Sequence, residues 1–173
     1  MRKYVLFATM ILVSTVVMAA EHYVSPDGTA TWERSPSINT PCSLDTANAN
    51  AKAGDTVCLR GGEYGVWIQP LNSGKNNRER IRYTNYKKER VKISGTRYAI
   101  FIDGKSHVSV TGIDCENCQQ FLIIKSGHHN VVERCTFQGN KLKNTWMGSW
   151  VHESSTFNRI SGCTFSRYGW VEN

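Results

Sequence analysis

Three stretches of this chain lie over one another: HVSVTGIDC from His107, HNVVERCTF from His129 and FNRISGCTF from Phe157, starting 22 and 28 residues apart. Their apolar residues fall at the same offsets. Val110, Val132 and Ile160 form one column, Ile113, Cys135 and Cys163 a second, and Cys115, Phe137 and Phe165 a third. Short β-type segments repeating at a period of about 20–50 residues mark a solenoid. One such unit cannot bury its own apolar face and must stack on its neighbours. The pattern predicts an all-β parallel β-helix.

Each copy contains a corner. The strict two-residue alternation breaks between the first and second columns, and the residue before the second column is Gly112, Arg134 or Gly162. Glycine at two of three equivalent corners predicts a left-handed backbone there, which Arg134 must adopt at some cost. Asn130 and Asn158 also align. Asparagines stacked on successive coils share amide hydrogen bonds, which assigns them a structural role.

Upstream, residues 55–102 read as further short strands, among them Val57 to Leu59, Ile81 to Tyr83, Val91 to Ile93 and Ile100 to Ile102. Gly61 and Gly62 force a turn after the first. Before them Leu44, Ala47 and Ala51 recur at helical spacing, with Ser43 as cap and Gly54 as stop. A helix at this point covers the open end of a parallel stack. The expected organisation is a signal segment over residues 1–20, a strand and cap helix over 21–54, and about five coils over 55–173.

Arg2 and Lys3, the apolar run at residues 5–17 and the small residues Ala19 and Ala20 form a secretory leader. The run is shorter than the roughly 20 residues a bilayer span needs. The expectation is therefore a secreted or periplasmic chain with no membrane span after the leader is removed. Removing Arg2 and Lys3 leaves +5 of the formal +7 charge, much of it between Lys75 and Lys92. Export argues against nucleic acid and for an acidic polysaccharide as partner of that charge. Six cysteines in an exported chain permit disulfides, with Cys42–Cys58 the best pair and Cys115–Cys118 able to close a tight loop. Cys135 and Cys163 read as buried thiols.

YVSPDGTATW from Tyr23, followed by AKAGDTVCLRGGEY from Ala51, resembles the opening of exported right-handed parallel β-helix proteins of the pectate-lyase-like superfamily. Ala51, Gly54, Asp55, Thr56, Val57, Leu59, Gly62 and Tyr64 carry the likeness, and NVVERCTF and NRISGCTF resemble its repeat units. The resemblance implies a right-handed coil and about ten turns with a closing element. The present residues supply about five, so a C-terminally incomplete sequence is expected. It also implies polysaccharide lyase chemistry: calcium neutralises a uronate carboxylate, a Lys or Arg removes the C5 proton, and the glycosidic oxygen leaves.

Outward acids beside a basic group meet that requirement. Asp103, Lys125 and Glu153 each precede their repeat's first column by seven residues. They would stand in line on successive coils, Lys125 as base and Asp103 and Glu153 as calcium ligands. The last coil has a second register, in which Val151 is buried, His152 takes the place beside Lys125, and Glu153 moves to the turn. An Asp-Lys-Glu ladder is also an ordinary way to satisfy exposed charge. Arg80 and Arg82 share one strand face and Arg90 and Lys92 another, predicting a basic outward patch that either binds polyuronate or simply solvates the surface. Trp146 is expected on a loop as a sugar-stacking ring. His128 and His129 could bind a metal as neutral imidazoles, but a pair without carboxylate support reads as a surface turn. The rival functions are a non-catalytic carbohydrate-binding or cell-surface β-helix, and a glycosidase, which needs clustered acids that these coils lack. A monomer is expected.

Overall fold

The computed structural model describes residues 19–139 and 148–166. Residues 1–18 of the expected leader, and Trp146, lie outside them. Fourteen strands follow in chain order: β1 (Glu21–Val24), β2 (Thr56–Leu59), β3 (Gly62–Tyr64), β4 (Ile81–Asn85), β5 (Val91–Ser94), β6 (Tyr98–Asp103) and β7 (Val108–Thr111), then β8 (Asp114–Glu116), β9 (Gln120–Lys125), β10 (Val131–Glu133), β11 (Thr136–Gln138), β12 (Ser149–His152), β13 (Arg159–Ser161) and β14 (Thr164–Ser166). They assemble into three sheets in the orders β1-β2-β4-β7-β10-β13, β14-β11-β8-β5-β3 and β12-β9-β6. Every pairing is parallel, and the chain visits the three sheets in turn, as a coil does.

The register is the one the repeats specify. Val132 lies opposite Val110 and Ile160, and Phe137 opposite Cys115 and Phe165. Inward residues of successive coils stack into dry columns, with Val57, Tyr83, Val110 and Val132 fully buried along the first sheet. Ile160 and Phe165 continue their columns but are 39% and 46% exposed, because no described coil covers them. The corners are left-handed as expected, with φ of 71° at Gly112, 51° at Arg134 and 60° at Gly162.

The asparagines form a ladder of side chain to backbone bonds. Val108 N donates to Asn130 Oδ1 at 2.9 Å, and Asn130 N donates to Asn158 Oδ1 at 2.9 Å. Each amide supplies the backbone acceptor that the turn of the preceding coil lacks.

The cap helix α1 (Leu44–Asn50) opens with Ser43 Oγ accepting from Thr46 N at 3.1 Å. It buries Leu44 and Ala47 over the first coil. Asn48 fixes it there, donating to Trp67 O at 3.0 Å and accepting from Gln69 N at 3.1 Å. Among the described residues no helix is long and apolar enough to cross a membrane.

The expected disulfides are not formed, and all six cysteines are free. Strand parity explains the first pair. Cys58 pairs in register with Tyr23 and Thr84 on the outer face, whereas Cys42 bridges Val24, whose side chain enters the core. The two thiols therefore belong to opposite faces. Cys118 is occupied otherwise, its sulfur 3.3 Å from Thr96 Oγ1. Burial raises the Cys58 pKa to about 11 and that of Cys135 to about 12, and pushes Cys42, Cys115 and Cys118 up as well. These thiols carry almost no thiolate at neutral pH. An aromatic disulfide reagent is expected to react slowly with the native chain and to titrate six thiols after unfolding. Reductant should leave the melting temperature unchanged. A count of four would restore one bridge.

Candidate functional site

The outer face of the β6-β9-β12 sheet carries two adjacent columns. Asp103 pairs in register with Lys125, and Lys125 with His152. Two residues earlier on the same strands stand Phe101, Ile123 and Trp150, also in register. Alternation puts both columns outside, because Ile100, Ile102, Leu122 and Ile124 take the inner face and are fully buried. The columns lie about 7 Å apart along the strand, and their members about 4.8 Å apart across it.

The polar column is therefore Asp103, Lys125, His152. Glu153 is not in it, which corrects the arrangement with three charges in line. The second register is adopted, and Trp150 facing outward is its physical reason. Glu153 sits in the turn with φ 51°. Ser126 Oγ donates to its Oε2 at 3.0 Å, and its Oε1 lies 3.7 Å from both Lys125 Nζ and His152 Nδ1. Val151 takes the inward position but is 47% exposed at the outermost described coil.

The apolar column extends toward the cap helix through stacked rings. Tyr98 and Phe101 stack with centroids 4.5 Å apart, Trp67 meets Tyr98 edge-on at 5.8 Å, and the Arg97 guanidinium lies 5.1 Å above Tyr98. Beyond Trp67 a cleft of about 370 Å³ opens between α1 and residues 65–71, with Asp45 and Asn48 on one wall. Sequence reading singled out neither Tyr98 nor Phe101. The signal for Phe101 was its offset of two residues from Asp103; Tyr98, five residues before Asp103, had no such signal.

The four basic residues do not form one patch, which corrects that expectation. The corner after Asn85 sends the chain onto another sheet, so Arg82 on β4 and Lys92 on β5 face different directions. Arg90 is neutralised by Asp114 at 2.9 Å and Glu116 at 3.1 Å, and Lys92 by Glu63 at 2.6 Å. Hydrogen bonding to Lys92 holds the Glu63 carboxyl below its ordinary range. Arg80 is a structural tie: its guanidinium donates to His129 O, in the turn before β10, and to Asn77 Oδ1. Burial, then Arg82 and Arg159, lower its pKa. Arg82 donates to Arg78 O at 2.8 Å and faces solvent on the first sheet.

Calcium takes six to eight oxygen ligands. Asp103 and Glu153 flank a lysine, and no group of three carboxylates gathers among the described residues. These two acids do not make a calcium cage by themselves. The one group of three metal donors among the described residues is His107, His128 and His129, whose ring nitrogens lie within 4.8 Å of one another. His107 was not singled out from the sequence, although it and His129 are the first residues of two aligned copies.

Comparison with known proteins agrees with this architecture. A structure of pectate lyase Pel9A superimposes with a TM-score of 0.60 at 18% identity, covering 86% of this chain and 48% of that one. The chain thus spans about half the length of that protein, and at this identity the likeness is one of fold. No curated protein sequence matches the chain significantly. Residues 22–163 match the family described as Pel9A-like, right handed beta helix region, and that span contains the cap helix, the coils and both outward columns. With most of its length accounted for by that match, the chain belongs to the Pel9A-like family of right-handed parallel β-helix proteins.

Proposed function

We propose that the protein acts on an anionic, uronate-containing polysaccharide laid across the outer face of β6, β9 and β12, and cleaves it by β-elimination. The observation that supports this reading is the pairing of an apolar column with a polar column on one outer face, in which Trp150 is exposed, Phe101 half-buried and Ile123 buried between them. Sugar faces stack on amphipathic and aromatic rings. A pyranose seated on Phe101 or Trp150 holds its carboxylate and hydroxyls toward Asp103, Lys125 and His152.

In this reading Lys125 with its amine unprotonated accepts the C5 proton. The C5–H electrons become the C4–C5 double bond, and the C4–O bond breaks with its pair on the leaving oxygen. That oxygen takes a proton from His152 or water. Calcium, if bound, would supply charge neutralisation at the uronate carboxylate, and its donors must come largely from elsewhere than Asp103 and Glu153. Export through the leader brings the enzyme to its polymer, and it works as a monomer.

A binding surface without turnover is the second reading. It is favoured by Glu153, which stands 3.7 Å from Lys125 Nζ and offers the ammonium a partner.

Incubation with polygalacturonate, alginate and chondroitin, with added calcium and with chelator, separates the two. The expected result is ultraviolet-absorbing unsaturated product from one of them. Lys125→Ala should reduce its rate at least about 100-fold, the usual loss on removing a general base. Retention of the chain on a polymer without product would give the binding reading. Neither retention nor product would overturn both.

A further inference from the structure

His107, His129 and Phe157 occupy one position in three successive coils, each with a left-handed backbone at φ 56°, 57° and 54°. Their rings form a stack. The His107 and His129 centroids lie 5.0 Å apart at an interplanar angle of 21°, and His129 and Phe157 are again 5.0 Å apart. The His128 ring stands across this stack, at 90° to His107 and 86° to His129. Three imidazoles therefore converge from two coils.

Two details distinguish the cluster from a surface turn rich in histidine. His107 Nδ1 is buried and has no hydrogen-bond partner. His128 Nδ1 and His129 Nδ1 share a hydrogen bond at 3.0 Å, which a bound ion would replace. The second distance is near the edge of a tetrahedron of nitrogens about 2.0–2.1 Å from a central zinc ion, which is roughly 3.3 Å. The donor atoms of the three residues lie within 4.8 Å of one another, and binding would have to draw them in by side-chain rotation.

We propose that His107, His128 and His129 form a binding site for a divalent transition ion of the zinc class, with a fourth position open to solvent beside exposed His128. The donor set selects the metal. Three neutral imidazole nitrogens suit zinc, copper or nickel and not calcium or magnesium, which take oxygen. Arg80 is the charged neighbour, and its guanidinium is engaged with His129 O and Asn77. The loop through Gly74 walls the other side, so close that a Cβ there would meet His107 O at 2.4 Å. The bound ion would staple two coils together, and it is separate from the outer face of the β6-β9-β12 sheet.

The test uses the untagged chain stripped with chelator, titrated calorimetrically with zinc chloride. One equivalent is expected to bind and to raise the melting temperature, whereas calcium should leave it unchanged. His128→Ala removes an exposed side chain and should weaken binding at least tenfold. The double variant His107→Asn, His129→Asn retains residues tolerant of positive φ and should abolish it. His152→Ala serves as the control for stray histidine binding and should leave zinc affinity unchanged, whatever it does to polysaccharide turnover. Absence of zinc binding, or affinity unchanged in His128→Ala and in the double variant, would overturn the site. Either outcome leaves the polysaccharide reading intact.

Discussion

Truncating Phe137 to alanine is expected to destabilise the chain by about 3–5 kcal/mol, the range for deleting a buried aromatic side chain. The ring is fully buried, 4.8 Å from Phe165 and 5.8 Å from Phe121. Below it in the column is Cys115, too small to fill the space. The walls cannot close over the cavity, because β11 is pinned by ladders to β8 on one side and β14 on the other. Phe165→Ala, on a ring 46% exposed, should cost less than half as much. Urea unfolding of the two variants measures the difference. Coils touch only their neighbours, so the loss of hydrogen-exchange protection should centre on β8, β11 and β14 and spare β1 and β2. Uniform loss across the molecule would contradict the nearest-neighbour account.

Asn130→Ala is expected to be nearly as damaging for a different reason. The side chain is fully buried, accepts from Val108 N and donates to Lys105 O, both at 2.9 Å. Alanine leaves one buried backbone donor and one acceptor without partners, at about 1–3 kcal/mol each. A loss of about 2–6 kcal/mol in unfolding free energy follows. Asn158→Ala, at a half-buried position, should cost less. Equal and small effects at both positions would mean that water replaces the amide and that the ladder adds little.

The repeating part of the fold was legible because its determinants are local and recur. Columns, left-handed corners and the asparagine ladder all follow from residue offsets. The site was less legible. Asp103 and Lys125 could be paired by counting, but the last coil admitted two registers, and only the outward turn of Trp150 chose His152 over Glu153. The basic patch failed because residues near in sequence were separated by a corner, so Arg82 and Lys92 ended on different sheets. The disulfide failed on strand parity, which depends on β1 being the edge strand against β2. The histidine cluster needed all three residues placed in the coil at once, since His107 is distant in sequence from its partners.

The in-register stack also bears on how such a molecule changes over generations. Val110, Val132 and Ile160 are interchangeable positions of successive turns. A recombination event joining the gene at two neighbouring ones would delete or duplicate one whole turn, and the seam would keep the same chemistry. Length can thus be lost or gained in steps of one rung, and the array of outward side chains would shorten or grow with it.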